Sequence, residues 1–312
     1  MYTKTFIQLN KNDSTIAGGK GASLGEMIKA KMPVPPGFVV LADAFNRFLV
    51  ESDLLVDIES IIKKVNHNEL HSVTKASETI RQLIDNAEMS RELAEKIITE
   101  YKKLNTKFVA VRSSATAEDS SSASWAGELE TYLHVTENNL LKTVKLCWSS
   151  LFTPRAIYYR FEKKMHKQYI AVAVVVQKMI DSEVSGIVFT VHPITKNKNQ
   201  MIIEAGFGLG EAIVSGQITP DAYVVDKRNF SILDINIAQQ KTMIIKAGTG
   251  GTKKIKITKN DQEKQKLSKK QIINLTKLCL NIEKHYNFPC DIEWAFEKGK
   301  FYITQSRPIT AL

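Results

Sequence analysis

Apolar residues fall in short blocks along this chain, and their spacing changes near residue 108. Before that point the spacing is mostly three and four. Asp43 to Glu59 has a helical pattern, and Leu70 to Asn105 reads as two amphipathic helices. Gly18 to Ala30 reads as a glycine turn running into a helix. Pro33, Pro35, Pro36 and Gly37 then turn the chain into the apolar strand Phe38-Val39-Val40-Leu41. From Phe108 short strands dominate. Phe108 to Arg112, Thr131 to Val135, Ile170 to Lys178, Gly186 to Val191 and Met201 to Ala205 are expected strands. Leu140 to Lys163 is expected as one long helix, and Gly206 to Gly210 as a glycine loop. Further on come strands at Tyr223 to Val225 and Met243 to Lys246, and a helix over Lys269 to His285. Asp291 to Glu297 and Lys300 to Gln305 form a hairpin turned at Lys298-Gly299. The predicted class is α+β with mixed, mainly antiparallel sheets.

Composition narrows this picture. The 312 residues suffice for a sizeable core and about two lobes, and 43% apolar with 24% charged residues is ordinary for a globular protein. The start, MYTKTFIQLNKND, has no apolar run behind a basic segment, so no secretory leader is expected. The longest apolar stretch, Tyr169 to Gln177, is too short to span a bilayer. Cys147, Cys279 and Cys290 are scattered, which argues against a disulfide framework or a thiolate zinc site. A cytoplasmic protein is expected. The net charge is +10, and much of the excess sits in Thr252 to Lys270. That run mixes lysines with acids and holds no aromatic residue for base stacking. It reads as a solvated surface segment, with nucleic acid as the weaker alternative.

Two familiar nucleotide motifs fail. Around Lys20 the sequence lacks the first glycine and the final hydroxyl of a Walker A loop. Gly206-Phe207-Gly208-Leu209-Gly210 has the wrong spacing for a dinucleotide fingerprint. Three other segments could carry chemistry. Gly18-Gly19-Lys20-Gly21 permits close backbone approach beside a mobile positive charge; it could equally be a turn with a surface lysine. Val109-Ala110-Val111-Arg112-Ser113-Ser114 is a buried strand ending in arginine and hydroxyls. Arginine can grip phosphate oxygens with two donors, and the small-residue loop Ser120 to Gly127 could close over them. Otherwise this is a strand with a polar surface loop. In the hairpin, alternation sets Asp291, Glu293 and Ala295 on one face, and Gln305 with Arg307 on a face of the partner strand. Such oxygens suit Mg²⁺, and such an arginine suits phosphate; a structural glutamate–arginine pair across the strands is the other reading.

Taken together, these segments strongly resemble the ATP-binding domain of phosphoenolpyruvate synthase, pyruvate phosphate dikinase and rifamycin phosphotransferase. The likeness rests on GGKGASLGEM, PVPPGFVV, VAVRSSATAED, ASWAGELETYL, CWSSLFTPRAIYYR, SGIVFT, EAGFGLGEAIVSGQITPDAY, and DIEW with FYITQSRPIT. The resemblance implies an ATP-grasp fold, in which two lobes with mainly antiparallel sheets clamp ATP. Residues 1–200 would form the N-terminal lobe region with the phosphate loop, and 201–312 the C-terminal lobe region with the metal and γ-phosphate hairpin. It further implies that Lys20 and Arg112 hold phosphates, with Gly127 and Thr131 in the phosphate-covering loop and the strand after it. Gln177, Met179 and Ile180 would lie against adenine, partly through backbone groups, with Glu204 at a ribose or adenine contact. Glu293 and Gln305 would ligate Mg²⁺, and Arg307 would meet the γ-phosphate. Lys20, Arg112 and Arg307 would act in catalysis.

The chain departs from the family pattern in places. The phosphate loop lacks a proline and has Glu128 where glutamine is usual, and His192-Pro193 stands where Asp-Pro is usual. In this family phosphate passes to a histidine in a TGGxxSHxA-like segment. None of His67, His71, His134, His166, His192 or His285 has that context. The expectation is an ATP-dependent phosphotransferase module, excised or stand-alone. It would need a phosphohistidine-bearing domain or subunit and an acceptor-binding domain for pyruvate, rifamycin or another molecule. Neither nucleic acid nor membrane is an expected partner. A non-catalytic nucleotide sensor or adaptor is the alternative.

Overall fold

Residues 1–116, 130–165 and 170–309 are described here by a computed structural model. They divide into two compact units, one of residues 1–26 and 36–179, the other of residues 27–35 and 180–312. The division lies ahead of the expected boundary at residue 200. The reason is that strand 184–189 hydrogen-bonds to two later strands and belongs to their sheet.

The first unit contains β1 (Thr3–Thr5), α1 (Ser14–Lys29, whose last turn passes into the second unit), β2 (Gly37–Val40), α2 (Ala42–Glu51), α3 (Leu54–Lys63), α4 (Leu70–Asn86) and α5 (Arg91–Lys103). It continues with β3 (Val109–Ala115), β4 (Thr131–Val135), α6 (Glu137–Ser149), α7 (Pro154–Glu162) and β5 (Val172–Lys178). The strands form one antiparallel sheet in the order β1-β2-β5-β3-β4. Strand side chains alternate between faces. Phe38, Val40, Val109, Val111, Val172, Val174 and Val176 share one face, and they form a single core with Phe45, Phe48, Ile80, Ile97, Val144 and Trp148 from the helices. Trp148 lies 5.0 Å from Phe48 and 5.7 Å from Phe45, ring to ring. Burial of each such side chain stabilises by about 1.5–3 kcal/mol, so helices cover this face.

Two helical stretches are broken where one helix was expected. Asp53 adopts a left-handed φ of 54° between α2 and α3. Between α6 and α7, Pro154 occupies the first helical position. There the Thr153 hydroxyl accepts from the Ala156 N–H at 3.1 Å, a cap that starts a new helix.

The second unit contains β6 (Val184–Phe189), β7 (Gln200–Phe207), α8 (Glu211–Val214), β8 (Asp221–Asp226), β9 (Ile232–Asn236), β10 (Thr242–Lys246), β11 (Thr252–Lys256), α9 (Lys269–Tyr286), β12 (Cys290–Glu297) and β13 (Lys300–Pro308). Six strands form an antiparallel sheet in the order β13-β12-β6-β7-β8-β9, and β10 pairs with β11. Val188, Ile203, Tyr223 and Ile292 share a fully buried face. The Leu267 N–H donates to the Tyr223 hydroxyl just before α9 begins, so α9 covers that face. Its buried stripe is Ile272, Leu275, Cys279 and Ile282, at helical spacing. Ser268 and Gln271 cap its start reciprocally.

The lysine-rich run departs from expectation. Lys253, Lys254 and Lys256 are exposed, but on a strand. Lys266 is fully buried: its ammonium lies 2.8 Å from Asp221 Oδ1, with both side chains at 0% exposure. Among the described residues, no helix is long and apolar enough to cross a membrane.

Candidate functional site

Each sheet has a second face; in the first unit α1 packs on it, with Gly21 against Val39. In the first unit the cross-strand row Val39, Val175, Arg112 and Thr131 lies on that face, followed by Gly37, Gln177 and Ala110. Arg112, Gln177 and Thr131 therefore share one surface, opposite the apolar core. Arg112 is 7% exposed and Gln177 2%, while Thr131 is exposed.

Lys20 comes to this face through α1. The helix is interrupted at Gly18, which has φ 67° and ψ 170°. A Cβ there would lie 2.1 Å from Ser114 Oγ and 2.4 Å from the Ser114 carbonyl oxygen, so only glycine fits. Two residues on, the Lys20 N–H donates to Ser114 Oγ at 3.2 Å. Ser114 has the same strand parity as Arg112.

The segment expected against adenine makes backbone hydrogen bonds within the protein. The Met179 N–H donates to the Phe108 carbonyl at 3.1 Å, and the Lys178 N–H to the Pro36 carbonyl at 2.8 Å. Those backbone donors are engaged within the fold. Ile180 is buried at 6% exposure and opens the second unit. Gly127 and the rest of the loop 120–127 lie outside the described residues.

In the second unit register decides the arrangement. Asp291 stands opposite Arg307, and Glu293 opposite Gln305. Glu293 also faces Ile187, which faces Glu204 on β7. Five polar side chains thus share one face: Glu204, Asp291, Glu293, Gln305 and Arg307. A register shift after Glu293 keeps this pairing local, because Trp294 already faces Ile303. Arg307 donates through Nε and Nη2 to Asp291 Oδ2, at 2.8 and 2.7 Å. An aspartate–arginine ion pair thus crosses the two strands. Asp291 is the functional candidate that sequence reasoning left without a role, although it was placed on the right face.

The electrostatics of this face lean negative. Burial raises the Asp291 carboxyl above its ordinary value; Arg307 pulls it back and Glu293 pushes it further up. Burial also raises the Glu204 carboxyl, with the charge of Asp291 adding to the effect. Among the described residues, no group of three or more His, Cys, Asp or Glu is arranged to hold a metal. What the face can offer a hard cation is the Glu293 carboxylate with the Gln305 amide oxygen opposite it. That set suits an ion that keeps its other positions for water and phosphate.

His192 has a structural role. Its Nδ1 accepts from the N–H groups of Ile194 and Thr195, both at 3.3 Å, and so closes the loop after β6.

The family model for the pyruvate phosphate dikinase AMP/ATP-binding domain matches residues 14–312. A probable phosphoenolpyruvate synthase from Methanocaldococcus jannaschii is 48% identical over 98% of this chain and 26% of its own length. One from Archaeoglobus fulgidus is 45% identical over 97% of this chain and 41% of its own. The phosphoenolpyruvate synthase of Pyrococcus furiosus is 41% identical over 100% of this chain and 44% of its own. This chain thus spans less than half the length of these curated relatives. The residues that first suggested nucleotide chemistry lie inside the matched region, and the chain belongs to the pyruvate phosphate dikinase AMP/ATP-binding domain family.

Proposed function

We propose that this chain is the ATP-binding module of a dikinase-type phosphotransferase with an ATP-grasp fold. It holds Mg-ATP and gives a phosphoryl group to a histidine on a separate domain or chain. That carrier passes it to an acceptor, which the names of the curated relatives suggest is pyruvate; other members of the family use rifamycin. The work is done in the cytoplasm. The observation that carries this reading is the paired register of the hairpin, Asp291 against Arg307 and Glu293 against Gln305, on one face with Glu204.

Phosphoryl transfer asks the protein mainly for positioning and charge compensation. Lys20 and Arg112 bind phosphate oxygens. Arg307, paired with Asp291, meets the γ-phosphate. Glu293 and Gln305 would hold Mg²⁺, which when bound would supply positive charge against the phosphates. Gln177, Met179, Ile180 and Glu204 border the adenosine, and Gly127 with Thr131 covers the phosphates.

Calorimetric titration of the whole chain with Mg-ATP tests this directly. Saturable binding is expected, with a clear loss of affinity in Arg307→Ala. No binding by the wild type, or no change in the variant, sinks the reading. Label from radioactive ATP should then reach a histidine only when a carrier domain from a relative is added.

A further inference from the structure

We propose that Ser114 is a positioning residue for phosphate binding. Its hydroxyl caps, from the neighbouring strand, the helix start that carries Lys20, and fixes that start against the strand that carries Arg112. This rests on the nucleotide reading above.

A helix that resumes after a break has N–H groups with no acceptor in its own preceding turn. Normally a side chain at the cap position serves one of them. Here the residue at the break is Gly18, which has no side chain to offer. The acceptor comes from 94 residues along the chain: Ser114 Oγ takes the Lys20 N–H at 3.2 Å. The contact is tight on the other side as well, since a Cβ on Gly18 would overlap Ser114 Oγ and its carbonyl oxygen. One short stretch of β3 thus sets the helix start from two directions.

The neighbouring serine does something else. Ser113 points to the opposite face, and its hydroxyl donates to the Glu130 carbonyl at 2.6 Å, tying β3 to the start of β4. Ser114 itself is 0% exposed. It has no surface for a nucleotide, so any effect it has on binding must pass through its neighbours. Arg112 lies two residues earlier on the same face, about 7 Å along the strand. Lys20 and Arg112 can meet different phosphates of one polyphosphate, provided the helix start and the strand are held together. The Gly18–Ser114 contact holds them.

The test uses the full chain with Ser114→Ala, Gly18→Ala, Lys20→Ala and the double variant Ser114→Ala/Lys20→Ala. Hydrogen exchange at the Lys20 amide reports the latch, and calorimetry with Mg-ATP and with adenosine reports binding. Ser114→Ala should speed exchange at Lys20. It should weaken Mg-ATP by about fivefold to tenfold, the scale of a lost cap, and leave adenosine unchanged. Gly18→Ala, which perturbs the same contact from the other side, should give the same phosphate-selective loss. In the Lys20→Ala background Ser114→Ala should cost nothing further. Equal losses for Mg-ATP and adenosine, or a full additive loss in the double variant, would make Ser114 merely structural and overturn the proposal. Unchanged Mg-ATP binding in Ser114→Ala, with the wild type binding normally, overturns it alone. A wild type that binds no Mg-ATP overturns the nucleotide reading, and the role of the latch falls with it.

Discussion

The two sheets are built alike and charged differently. Both are antiparallel, and both give one face to apolar side chains under helices. On the other face the first sheet carries Arg112, Ser114, Thr131 and Gln177, a cation among neutral donors and acceptors. The second carries Glu204, Asp291, Glu293 and Gln305 with Arg307. Arg112 among hydroxyls, with Lys20 nearby on α1, is chemistry that suits an anion. Three carboxylates lie on a face with one guanidinium, which bonds to Asp291, and burial raises two of them, Glu204 and Asp291; such a face suits a cation. The fold repeats; the difference lies in which ionisable groups alternate onto the second face of each sheet.

The largest expected effect tests whether the polar face differs from the apolar one. The six-stranded sheet holds an acid–base pair on each side. Asp221 and Lys266 lie under the α9 side with no exposure. Asp221 also accepts from the Tyr223 hydroxyl at 2.7 Å and from the N–H groups of Ala238 and Lys266, at 3.0 and 2.9 Å. Lys266 donates in addition to the Ala238 carbonyl at 2.7 Å. This pair clamps both ends of the excursion that carries β10 and β11. Lys266→Met strands a buried carboxylate and should cost about 3–5 kcal/mol in urea unfolding. Its effect on nucleotide binding should be no more than that instability explains.

Arg307→Ala should behave the other way round. Arg307 is 35% exposed and Asp291 12%, so its loss should cost less stability than Lys266→Met. Loss of its charge from the γ-phosphate should slow transfer to a carrier histidine about 10²- to 10³-fold. Arg112→Ala should weaken ATP with or without Mg²⁺, whereas Glu293→Gln should matter only when Mg²⁺ is present. If both variants respond identically to metal removal, the division of labour between the two faces is wrong.

How much of this could be read from the chain follows from how local each signal is. The hairpin was legible because Asp-Ile-Glu-Trp-Ala and Thr-Gln-Ser-Arg-Pro alternate around a Lys-Gly turn, so the shared face needed no tertiary information. The partner of Arg307 needed the register, and the register shift after Glu293 has no sequence signature. Pro154 behind Thr153 did announce a helix start, and apolar periodicity running through it hid the break. β11 was hidden by its lysines. It pairs only with β10, leaving its side chains open to water, so it shows no apolar alternation. The Gly18–Ser114 contact was out of reach, since it joins residues far apart whose types are common in any loop.

The smallest effect expected is also the cleanest measure of negative charge on the second face. Glu204 and Asp291 both have carboxyls raised in the folded state, mainly by burial. A raised carboxyl binds its proton more tightly folded than unfolded. Its contribution to stability is therefore complete below the unfolded value, near 4, and is lost as pH rises through the folded value. Glu204→Gln removes one such group and the repulsion between Glu204 and Asp291. The variant should lose less stability than the wild type as pH rises from about 4 to 7, most visibly without nucleotide or metal. Thermal melts across that range check it, and parallel curves would mean that the Glu204 carboxyl is not raised in the folded state. Saturating Mg-ATP should flatten the wild-type curve toward that of the variant, because a bound cation offsets the same repulsion without removing the carboxylate.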